Sequence, residues 1–142
     1  MTATVGGVAV RQAVETLLRA ADDGSLARLC ERHDVEILTL FGSARTDPAS
    51  ARDVDIAVRF RGRATPDPVP LIGDLMDLPS TDAVDVLLVD RATPTGRFAA
   101  LVEAMPLYET ADGVWANAQM AAALEFYETE WLRRLDLEQL AR

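Results

Sequence analysis

Asp53 and Asp55 place two carboxylates two residues apart, one short loop after Gly42-Ser43-Ala44-Arg45. Alternate residues of a strand share a face, so both carboxylates point the same way, and hard carboxylate oxygens suit a divalent cation. The turn ahead of them suits an anion. Gly42 lets backbone N–H groups come close to a phosphate, the Ser43 hydroxyl adds a donor, and the Arg45 guanidinium has a fork geometry matched to phosphate oxygens. Together these residues fit a nucleoside triphosphate with Mg²⁺.

Nucleotidyl transfer requires a hydroxyl to attack the α-phosphate in line while pyrophosphate leaves, and two Mg²⁺ ions about 3.5–4 Å apart neutralise the charge on both sides. Such a pair needs a third carboxylate on a neighbouring strand. Asp85, alone among apolar residues in Val84-Asp85-Val86-Leu87-Leu88, is the candidate, because a lone acid buried in such a run is costly unless a cation or hydrogen bonds compensate it. Asp82 and Asp90 are rivals, but they lie at the strand ends, where solvated acids are common. In this reading Asp53 and Asp55 bridge the metals, and Asp85 binds the metal on the acceptor side and helps to take the hydroxyl proton. Gly42 and Ser43 hold the β- and γ-phosphates, with Arg45 in reach of the same phosphates or the leaving group.

The elements that must position these groups follow from periodicity. Val10, Val14, Leu17, Leu18 and Ala21 recur at helical spacing, with a stop near Gly24 and residues 1–7 as a loose end. Ser25 is the expected N-cap of a short helix carrying Leu26, Leu29, Cys30 and His33 on one face. A strand then runs to Phe41. The next, Asp53 to Phe60, alternates Val54, Ile56, Val58 and Phe60 on one face with Asp53, Asp55, Ala57 and Arg59 on the other. A helix with Val69, Ile72, Leu75 and Met76, a third strand from Ala83 to Val89, and a helical stripe of Phe98, Leu101, Val102 and Met105 follow. Pro106-Leu107-Tyr108 is a candidate edge strand. A long C-terminal helix, Val114 to Leu140, carries Met120, Leu124, Tyr127, Trp131 and Leu135 along one side. The expected fold is α/β (α+β): one domain over residues 1–142, a small mixed sheet flanked by helices.

Composition limits the rest. At 142 residues there is room for one core and not for a separate substrate domain. The formal charge of −9 disfavours direct nucleic-acid binding and favours a metal-held nucleotide or a basic protein partner. No apolar run reaches the ~20 residues of a membrane helix, and no signal-peptide pattern opens the chain. The expectation is a soluble, cytoplasmic protein without a membrane role. One cysteine, Cys30, excludes an internal disulfide and agrees with a reducing compartment.

Gly-Ser, a short loop, Asp-x-Asp and a later strand Asp together resemble the DNA-polymerase-β-type nucleotidyltransferase superfamily. The small size and the preceding helix resemble its minimal (MNT) branch, as do Leu107-Tyr108-Glu109 and the aromatic helix around Phe126-Tyr127. The resemblance covers about Val35 to the C-terminal helix. It implies a nucleotidyltransferase-like fold and an antitoxin that uses ATP and Mg²⁺ to place AMP on a hydroxyl, a tyrosine, of a HEPN ribonuclease toxin, which it also binds. Two positions depart from the branch: Ala44-Arg45-Thr46 follows the Gly-Ser directly, one residue short, and Arg52 stands where serine is usual. A cation at Arg52 can pair with Asp53 or Asp55 and compete with Mg²⁺. That supports one alternative, a catalytically weak or inactive antitoxin acting by direct binding; a second, a small-molecule nucleotidyltransferase of the antibiotic-modifying kind, is disfavoured because little chain remains to build an acceptor domain unless a dimer supplies one.

The other chemistry-bearing residues have simpler readings. Asp47 before Pro48 is a turn residue; His33 and Cys30 are core-facing. Arg59, Arg61 and Arg63 are either a solvated basic loop or a contact for nucleotide or partner. Trp115, Phe126, Tyr127 and Trp131 pack the C-terminal helix, with any excess available to a partner.

Overall fold

Two β-rich apolar runs, Val35–Phe41 (β1) and Val54–Phe60 (β2), pair antiparallel at the centre of the chain. The computed structural model describes residues 5–62 and 66–141. In it β3 (Val84–Leu88) joins β2 in parallel and β4 (Met105–Glu109) joins β1 antiparallel, giving one mixed four-stranded sheet in the order β3-β2-β1-β4. A parallel neighbour needs a crossover, which here contains α4 (Val69–Asp77).

The alternation along β2 assigns its two faces. Val54, Ile56, Val58 and Phe60 face a core built with α1 (Val5–Asp23), α2 (Ser25–Arg32) and α4, where Val10, Leu17, Leu26, Leu71 and Leu75 are fully buried. Ala57 and Ile37 face the other side, under α5 (Pro94–Leu101) and α6 (Val114–Glu128), which contribute Leu101, Ala100, Ala118 and Ala122. Small residues on α6 let it lie close to the sheet. Thr39, fully buried, donates from Oγ1 to the carbonyl of Ala100 at 2.6 Å, so the central strand and α5 are tied without an unpaired hydroxyl.

Several local expectations are corrected. Helix α1 already includes Val5 to Gly7, placed in the loose end; residues 1–4 lie outside the described residues. The cap of α2 is Gly24 in a left-handed conformation (φ 88°), and Ser25 is the first helical residue, its N–H donating to Asp23 Oδ1 at 2.8 Å. On α4, Leu71 takes the buried place expected of Val69, which is exposed. Met105 belongs to β4, opposite Leu40, and not to the helical stripe of Phe98 and Leu101. The C-terminal helical span is present but bends into α6 and α7 (Glu130–Leu140) at Thr129. There the Thr129 hydroxyl donates to the carbonyl of Glu125 at 2.7 Å, and the Arg133 guanidinium to that of Phe126 at 2.6 Å. The Glu125 carbonyl keeps its helical bond from Thr129 N–H, while the Phe126 carbonyl, in the last turn of α6, is satisfied by side chains where the helix ends.

Candidate active site

Gly42, at the end of β1, adopts φ 73° and turns the chain into α3 (Ser43–Thr46). Buried Ala44 and Ala51 pin the two ends of the loop to the core, leaving Gly42, Ser43 and Arg45 exposed. The N–H groups of the first residues of such a turn have no carbonyl one turn earlier to satisfy them. Asp47 is the turn residue expected, accepting from the Ser50 hydroxyl at 2.5 Å while its carbonyl accepts from Ser50 N–H.

The chain returns through Arg52 and Asp53 into β2, where register decides what meets. Asp55 stands opposite Phe41 on β1 and opposite Asp85 on β3. Asp53 lies one residue before the strand begins, and Val54 N–H donates to the carbonyl of Ala83 at 2.8 Å, locking the start of β2 to the approach of β3. Asp55 also packs against the turn, since a Cβ at Gly42 would overlap Asp55 Oδ2 and lie 3.1 Å from its Cγ. The turn and the acidic strand end therefore form one surface on the α5/α6 side of the sheet.

Electrostatics follow from this crowding. The Asp55 carboxyl is pushed above the usual carboxylate range, first by burial, then by the negative charges of Asp85 and Asp53. Two further acids near enough to act on the half-buried Asp55 carboxyl make this a place where positive charge is favoured. Among the described residues no three His, Cys, Asp or Glu side chains are grouped so as to hold a metal ion as they stand. The donor chemistry fits hard divalent cations nonetheless, since every candidate atom is a carboxylate oxygen.

Some sequence readings change here. Asp85 is exposed, because β3 is the sheet edge, whereas its apolar neighbours in sequence suggest burial. Asp82 is exposed ahead of β3, and Asp90 lies beyond the opposite end of the strand, in the turn Val89–Arg91. Arg52 is exposed and, among the described residues, makes no ion pair with Asp53 or Asp55. Arg59 lies further along β2 than Asp55 and pairs with Glu36 on β1 at 3.2 Å, so its charge is committed to the sheet. Arg61 is exposed, and Arg63 lies outside the described residues.

His33 Nε2 lies 2.6 Å from Asp74 Oδ2, tying the end of α2 to α4. Cys30 is fully buried, and burial pushes its thiol up to about 12. Sequence reasoning missed Phe41, the half-buried aromatic that flanks Asp55; its place directly before Gly42 was the available signal.

Sheet order and flanking helices define an α+β fold with a mixed four-stranded sheet. No protein-family model matches the sequence, and no curated protein does. Solved structures do match in fold. A chain of the MntA–HepT toxin–antitoxin complex superposes with a TM-score of 0.64 at 15% identity, over 84% of this chain and 96% of that one. A chain of a toxin–antitoxin structure with AMP-PNP gives 0.67 at 16% identity, over 84% and 98%. A chain from the complex of tri-AMPylated Shewanella oneidensis HEPN toxin with MNT antitoxin gives 0.66 at 15%, over 88% and 99%.

Proposed function

We propose that this chain is a Mg²⁺-dependent adenylyltransferase that moves AMP from ATP to a hydroxyl, a tyrosine, of a HEPN-type toxin, and so acts as its antitoxin. The observation that carries this reading is Asp55: in register with Asp85, felt by Asp53, and packed against the Gly42 turn. The fold it shares with chains of AMP-PNP-bound and AMPylated toxin–antitoxin complexes supports it.

Asp53, Asp55 and Asp85 would hold the divalent ions, which when bound neutralise the triphosphate and acidify the attacking hydroxyl. The turn N–H groups and the Ser43 hydroxyl bind the β- and γ-phosphates, and Arg45 meets the charge that grows on pyrophosphate as it leaves. Asp85, exposed on the edge strand, is open to a large acceptor and takes the hydroxyl proton as the oxygen–phosphorus bond forms and the α–β anhydride breaks. An AMP group adds negative charge and bulk to the toxin where an RNA phosphate must bind.

The test incubates the purified chain with Mg²⁺ and ATP, with and without the product of the adjacent reading frame, and reads the intact mass of both. A gain of AMP mass on that product, lost in Asp53→Ala, is the expected result. Tight binding with no mass change would instead support an antitoxin acting by binding alone.

A further inference from the structure

Helix α7 has no buried residue, yet it carries Trp131 (59% exposed), Leu137 (67%) and Leu140 (82%). Helix α6 buries Ala118 and Ala122 toward the sheet and is apolar on its opposite side too, where Met120 (66%), Leu124 (57%) and Tyr127 (63%) are exposed. Met120, Leu124 and Tyr127 share one face of α6, and Trp131 and Leu135 share one face of α7, so both helices present exposed apolar surface on either side of Thr129. A helix apolar all round is normally covered on every side. This exposed apolar surface amounts to roughly several hundred Å², the size at which a monomer's largest patch is often functional and of the order of one side of a standard interface, about 800 Å².

Charge selects what covers it. Among the described residues both arginines of α7 are committed: Arg133 sits 3.8 Å over the Phe126 ring and donates to the Phe126 carbonyl, and Arg134 pairs with Glu130 at 3.0 Å. Glu128, Asp136 and Glu138 enter no ion pair among the described residues, so the rim is acidic. A second copy, itself at −9, would set acid against acid.

We propose that the outer face of α6 and α7 is the docking surface for the protein that the chain modifies, whose complementary surface is an apolar helix flanked by lysine or arginine. In naming the modified protein as occupant, the proposal rests on the function proposed above. Aromatic anchors at Tyr127 and Trp131 amid aliphatic neighbours are the residues expected to dominate such a helix-in-groove contact.

The test measures binding of the adjacent reading frame's product without ATP. Met120→Ser/Leu124→Ser/Trp131→Ser, all at exposed positions, should weaken binding by about 100-fold or more, while Glu15→Gln, exposed on α1, binds like the parent. Glu128→Lys/Glu138→Lys, which leaves the apolar residues intact, should slow association by about 10-fold and flatten its salt dependence. Trp131 emission should shift to the blue on complex formation, and Trp131→Phe should remove that shift. Parent-like binding by both multiple variants would overturn the proposal. So would a parent chain that sediments alone as a dimer and becomes a monomer in the triple variant, or a parent chain that does not bind the product. Loss of binding in the triple variant with no AMP transfer by the parent would sustain the surface and remove the enzymatic reading instead.

Discussion

Gly42 and Asp55 touch across the end of the sheet: no side chain fits at Gly42, because its first carbon would overlap the Asp55 carboxylate. Left-handed backbone at φ 73° adds strain to any replacement. Gly42→Ala should therefore turn the Asp55 carboxylate away from the phosphate turn and lower AMP transfer by about 100-fold, comparable to losing a positioned electrostatic group. Rates from intact-mass time courses check this, and transfer at the parent rate would sink the placement of Asp55 beside the phosphate turn.

Asp55 holds its proton more tightly in the folded chain than in the unfolded one. The stability it contributes is full below the ordinary aspartate value and falls as pH rises through the elevated one. At neutral pH its ionised form opposes folding of the metal-free chain. Asp55→Asn should then raise the melting temperature by about 1–2 °C at pH 7, the gain disappearing in acid. Mg²⁺ should stabilise the parent at pH 7 and leave Asp55→Asn unmoved, as binding to the folded state alone requires. Thermal melts across pH, with and without Mg²⁺, separate the two effects.

The His33–Asp74 bond is structural and far from the acidic end in sequence. His33→Ala should cost about 0.5–1 kcal/mol in urea unfolding by removing that bond, since Asp74 is partly exposed and keeps Arg32 at 3.8 Å, and the transfer rate at a temperature where both proteins are folded should not change. A change in rate without a change in stability would contradict the tie between α2 and α4.

Cys30 should behave as a small hydrophobe. With the thiol buried and raised to about 12, a thiol reagent at about pH 8 should leave the native chain unmodified for hours and react with one thiol after denaturation. Native-state labelling at the rate of a free thiol would show that α2 opens readily.

Legibility of the sequence varied with how local the deciding physics is. The alternation of β2 named both its faces, since Ala57 and Ile56 do enter opposite cores, and the Gly42 turn with Asp55 was readable from residue types alone. Met105 was misplaced because Phe98, Leu101, Val102 and Met105 keep helical spacing straight through a boundary that pairing with Leu40 decides. Asp85 looked buried because its neighbours are apolar; sheet order, a long-range property, made β3 the edge and exposed it. The bend at Thr129 depends on Arg133 reaching back to Phe126, a contact between successive helices that periodicity does not encode. Which acids meet was the hardest part, since the register of Asp55 with Asp85 depends on a crossover through α4.

The exposed position of Asp85 has a bearing on solubility. An edge strand offers unpaired backbone N–H and C=O groups to any other extended chain, and Val84, Val86, Leu87 and Leu88 would make this one adhesive. A single charge at the second position of that strand repels a like strand arriving side by side, so the same carboxylate that would serve phosphoryl chemistry also keeps neighbouring molecules from stacking into a shared sheet.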